Sequence, residues 1–103
     1  MNRRMKKKAE NVRRKKLHRV LDQVLDINGL ETRSVKDIGN KPTAFFWLSG
    51  HVGTVTVDIC YDGWEAGKKP DFSKKIGLES DKYEDGLDDV IKQLDYIRWR
   101  YRV

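Results

Sequence analysis

Cysteine, histidine, proline and long apolar runs are all scarce in this chain. Its 103 residues hold one cysteine, two histidines and two prolines. The single cysteine, Cys60, excludes an internal disulfide framework and fits a reducing compartment. With one Cys and no Cys-x-x-Cys pair, a structural zinc site lacks its ligands. No apolar run approaches the ~18 residues of a membrane span. The basic start leads into more polar sequence, where a signal peptide would turn apolar. These features predict a cytoplasmic protein with no membrane partner. Neither a Gly-x-x-x-x-Gly-Lys-[Ser/Thr] phosphate loop nor a Gly-x-Ser-x-Gly nucleophile turn is present.

What is abundant is charge, at 37% of residues, and it is unevenly placed. Residues 1–19 carry ten Lys/Arg against the one acid Glu10, whereas residues 20–103 carry twelve against fifteen acids. The net charge of +6 therefore belongs to an appended block on a mildly acidic body. Such blocks usually meet nucleic acid, an acidic membrane face or an acidic protein surface. At this length, with no repeat and no Pro/Gly/Ser linker, the remainder is one domain with a small core.

Leu17, Val20, Leu21, Val24 and Leu25 fall at helical spacing, and Asn28-Gly29 supplies a stop. Traced backwards, Arg13 and Arg14 hold the angular positions that valine and leucine hold later. The pattern thus divides the chain into a basic extension, residues 1–16, and an α+β domain, residues 17–103. Cations at a helix N-terminus, with Asp22 and Asp26 near its C-terminus, oppose the helix dipole. The extension is expected to fray when unbound and to gain order when a polyanion neutralises it. The alternative is a solvated end that serves solubility. Arg3, Arg4, Lys6, Lys7, Lys8, Arg13, Arg14, Lys15, Lys16 and Arg19 are the candidate binding cations.

The middle of the chain reads as β. Thr43–Leu48 follows Pro42, residues 49–53 supply a turn, and Thr54–Tyr61 alternates with Val55, Val57, Ile59 and Tyr61 on one face. Thr54, Thr56, Asp58 and Cys60 take the other face, which is expected to meet water. Phe72–Leu78 forms a further strand, and Glu31–Ile38 is a candidate fourth. A last helix carries Leu87, Val90, Ile91, Leu94, Ile97 and Tyr101 as its buried stripe, with Asp81, Glu84 and Asp85 as capping candidates. The predicted fold class is α+β in the order α-β-β-β(-β)-α, an antiparallel sheet covered on one face by two helices, with a basic N-terminal extension.

Candidate chemistry is sparse. Cys60 with His51 could form a nucleophile and base, against a plain small strand residue. The acids from Glu79 to Asp89 lack the register of a calcium loop and suit helix capping. Pro70-Asp71 followed by Lys74 has no second acid where a nuclease motif needs one. No catalytic residue, metal or cofactor is predicted, and the chain is expected not to be an enzyme. Near the C-terminus, Arg98, Trp99, Arg100 and Arg102 join Tyr96 in an arginine-aromatic segment. Tyr96 and Trp99 fall off the buried stripe, which suits stacking on bases or protein contacts, unless Trp99 packs against a strand end or the first helix.

The element order resembles that of the double-stranded RNA-binding domain. That family places lysines at the start of its second helix. Here residues 81–89 read DKYEDGLDD, which would repel a duplex, so this resemblance stops at topology. The chain also resembles small phage-encoded anti-CRISPR proteins that inhibit type II (Cas9-class) effector nucleases. The likeness rests on the basic N-terminal segment and on Phe46-Trp-Leu-Ser-Gly-His51 followed by Val55-Thr-Val-Asp-Ile59, similar to a strand, a Leu-Ser-x-His turn and a strand in one broad-spectrum inhibitor family. Residues 61–82 have no counterpart in it. The resemblance implies a non-enzymatic inhibitor in the cytoplasm of a bacterial host. Such a protein engages the nuclease or its guide RNA complex through the basic residues from Arg3 to Lys16. Competing expectations are a general RNA- or DNA-binding accessory protein, a metal-independent toxin-like ribonuclease and an oligomerising structural protein.

Overall fold

The computed structural model describes residues 3–30, 41–79 and 83–101. Helix α1 (Arg3–Asn28) is followed by strands β1 (Thr43–Ser49), β2 (Thr54–Cys60) and β3 (Phe72–Gly77) and by helix α2 (Tyr83–Tyr101). The strands form one antiparallel sheet in the order β1-β2-β3. The expected α+β architecture is therefore present, with a helical N-terminal extension. The candidate strand at Glu31–Ile38 and the cap at Asp81 lie outside the described residues, as do the side chains of Glu84 and Asp85.

Alternation along β2 sends Val55, Val57 and Ile59 under the helices, and all three are fully buried. The register sets Ala44 opposite Ile59 and Val55 opposite Ile76, which extends the apolar face over all three strands. From α2, Leu87, Val90, Ile91, Leu94 and Ile97 close the core. Gly86 lets this helix approach β3, because a Cβ there would stand 3.1 Å from Ile76 Cγ1. Lys74 lies on the core side of β3 and carries its ammonium out to Asp89, 3.7 Å away.

The buried stripe of α1 differs from the sequence expectation. Val20 and Val24 are buried, but Leu21 and Leu25 are 39% and 41% exposed, and Gln23 and Ile27 take the inward positions. Gln23 faces α2, where its Nε2 donates to Ile91 O (3.1 Å) and Asp95 Oδ1 (2.6 Å). A polar residue thus occupies a position that a hydropathy pattern assigns to solvent.

The two helices run parallel, since Lys16 meets Asp88, Gln23 meets Ile91 and Asp26 meets Arg98. At the C-terminal end of α1, Gly29 adopts φ 70° and donates its N–H to Leu25 O (2.8 Å), a left-handed cap. Asn28 then reads the edge of β1 as a strand would: its Nδ2 donates to Ala44 O (2.7 Å) and its Oδ1 accepts from Ala44 N–H (2.8 Å). Replacement Asn28→Ala removes both bonds from a half-buried residue. It is expected to cost about 2 kcal/mol, seen as a lower urea midpoint with an unchanged slope.

Candidate nucleic-acid interface

Helix α1 has 26 residues, about 39 Å at 1.5 Å per residue. Aligning Lys16 with Asp88 puts the first turn of α2 level with about residue 11 of α1. Residues 3–10 therefore extend about 12 Å beyond the helix pair, in keeping with principal extents of 53 × 26 × 21 Å.

The basic residues of this helix sort by face. Arg13 is half-buried, and its Nη1 donates to Leu78 O (2.8 Å), while Leu78 N–H donates to Gly53 O (2.8 Å). The helix is thereby fastened to the turn between β1 and β2. Lys16 pairs with Asp88 at 3.1 Å, and Arg19 with Asp95 at 3.2 Å. Contact with the body begins a full turn before Leu17, through polar atoms that an apolar-stripe reading does not detect. On the opposite side, Arg3, Arg4, Lys7, Lys8, Arg14 and Lys15 are exposed. Only the backbone of Lys6 is described.

Four of those exposed cations, Arg3, Arg4, Lys7 and Lys8, work against the helix that carries them. The first turn contains no acid to complement the dipole. Arg3 and Lys7, and Arg4 and Lys8, stand four apart, where like charges repel by a few tenths of a kcal/mol per pair.

At the other end, Arg98 Nη2 binds Asp26 (3.0 Å) and its Nη1 binds Asp95 (3.4 Å), so it helps to lock α1 to α2. Trp99 is 76% exposed and touches Tyr96, with ring centroids 6.2 Å apart. The guanidinium of Arg100 lies 5.8 Å from the Tyr101 ring centroid. Arg102 lies outside the described residues. Trp99 stands near the level of residue 27 of α1, roughly 30 Å along the axis from the middle of the protruding segment. The two candidate clusters thus occupy opposite ends of the helix pair.

Cys60 and His51 are likewise apart. They flank opposite ends of β2, roughly 20 Å from one another. Cys60 alternates onto the open face, yet it is buried. The following segment folds back, with Asp71 N–H on Ile59 O (2.9 Å) and Asp71 Oδ2 accepting from Tyr61 N–H (2.7 Å). Burial, and then the charge of Asp71, push the Cys60 thiol up, away from the thiolate a nucleophile requires. Burial likewise raises the Tyr61 phenol, to which Gln93 Nε2 donates. Among the described residues no three of His, Cys, Asp and Glu cluster as metal ligands, and no helix is long and apolar enough to cross a membrane.

The solvent side of the sheet, expected from the alternation of β2, also carries an aromatic pair that the sequence expectations do not include. Phe45 and Trp47 project there with parallel rings, 5.6 Å between centroids and 7° between planes. Alternation along β1 was the available signal, since Ala44 and Phe46 face the core.

Comparisons with protein-family models, curated proteins and solved structures return no significant match.

Proposed function

We propose that this chain is a non-enzymatic binding protein that engages the nucleic acid of a ribonucleoprotein through the solvent-facing cations of α1. The observation that carries the reading is the division of charge on that helix. Arg13, Lys16 and Arg19, which turn toward the body, meet a carbonyl or a carboxylate there. Four of the six exposed cations are held against one another, Arg3 against Lys7 and Arg4 against Lys8, and the first two also oppose the helix dipole. A phosphate backbone supplies the counter-charge, and releasing its condensed counterions favours association. The ion pairs and hydrogen bonds along the body hold α1 so that these cations stand clear of the sheet.

The resemblance noted above gives the particular form: inhibition of a type II CRISPR effector nuclease, bound directly or through its guide RNA. A titration of the intact protein against guide RNA, effector nuclease and their assembled complex, coupled to a target-cleavage assay, tests this form. Tight binding to the nuclease or the complex with cleavage suppressed is the expected result. Equal binding to any RNA with cleavage unaffected would leave a general nucleic-acid binder, and no binding to any of the three would overturn both readings.

A further inference from the structure

We infer that the open face of the sheet is a second binding site, which stacks an unpaired nucleobase on Trp47. The inference rests on the nucleic-acid reading of α1 and extends it to a different surface. Phe45 and Trp47 are neighbours at i and i+2 on the side of β1 turned away from both helices, and their rings already form a stack. Trp47 is 50% exposed, so a further flat ring can extend that stack.

The surroundings are polar and follow from register. Thr56 lies opposite Trp47, and exposed Lys75 lies opposite Thr56, so the three form one row across the sheet. Lys75 is two strand spacings from Trp47, about 10 Å between backbones, within reach of a phosphate attached to a stacked nucleoside. In the adjoining row Asp58 stands opposite Phe45 and accepts from Ser73 Oγ (2.5 Å).

The fold does not need this aromatic pair. The core lies on the other side of the sheet, and a Trp–Thr cross-strand pair contributes only about 0.2–1 kcal/mol. A single ring bordered by hydroxyls and a lysine matches a base with its phosphate. In a duplex both faces of each base are already covered, so the ligand is single-stranded. The Arg13–Leu78–Gly53 hydrogen bonds place the turn beyond Trp47 at the foot of the protruding helix, so a strand bound to α1 reaches Trp47 by passing round that end of the sheet.

The test uses the full chain with Trp64→Phe and Trp99→Phe, leaving Trp47 as the single fluorophore. Two probes are titrated: an eight-nucleotide oligouridylate and an abasic oligomer of the same length and charge. The expected result is quenching of Trp47 by the base-containing oligomer and binding about tenfold tighter than the abasic one. In the otherwise native chain, Trp47→Ala removes that tenfold preference and leaves abasic binding unchanged, while Trp47→Phe retains most of it. Equal affinity for the two oligomers with Trp47 unquenched overturns the inference alone. Failure of both oligomers to bind overturns the α1 reading with it. Quenching by an RNA-free effector nuclease, with none by the oligomers, would assign the face to protein instead.

Discussion

Replacing Arg3, Arg4, Lys7, Lys8, Arg14 and Lys15 together by glutamine is expected to lower nucleic-acid affinity by at least about a hundredfold at physiological salt, with the fold intact. Non-specific association with nucleic acid is almost wholly electrostatic, so removing all six contacts removes most of its free energy. The body has no stake in these side chains, because all six point to solvent. Glutamine is a good helix former, and its neutrality relieves both the dipole mismatch and the repulsion along the helix. The melting temperature should therefore stay level or rise slightly. Changing Arg13 and Lys16 instead should act the other way. Those two hold α1 to Leu78 and Asp88, and losing both should cost about 1–2 kcal/mol with a small change in affinity. Equal affinity losses from the two sets would show that position on the helix face is irrelevant.

The complementary large effect belongs to the core. Leu94 is fully buried on α2 among residues of the sheet and of α1. Leu94→Ala leaves a cavity and should cost about 2–5 kcal/mol. For a domain of this size that is a large share of a total near 5–15 kcal/mol. It corresponds to a drop in melting temperature on the order of 10–20 °C. Below that lowered transition, affinity for nucleic acid should match the native protein, since α1 keeps its exposed cations. Affinity falling in proportion to stability would tie binding to the integrity of the core.

Sequence pattern was enough for the parts of the fold that bury apolar side chains at regular spacing. The stripe on α2, the alternation of β2 and the Asn28-Gly29 stop all appear where periodicity places them. Polar contacts between distant segments defeat such reading. Gln23 is buried because Ile91 O and Asp95 stand across the seam, a partnership with no trace in local pattern. Arg13 and Arg14 are adjacent and chemically alike, yet one holds a backbone carbonyl of the body and the other faces solvent. The charge block marked the region of the candidate site, and the packing of α1 sorted its members. Arg98 is the counterpart at the far end: it read as a candidate binding arginine and serves as a double ion-pair partner for Asp26 and Asp95. The exposure of Trp99, by contrast, follows from its place off the buried stripe.

The most direct test of the central claim is the salt dependence of RNA binding by the unmodified protein, measured from 50 to 300 mM salt. Six phosphate contacts predict a slope of about −4 to −5 in log K against log salt. A slope near zero would contradict the account, because the exposed face of α1 would then take no part in binding.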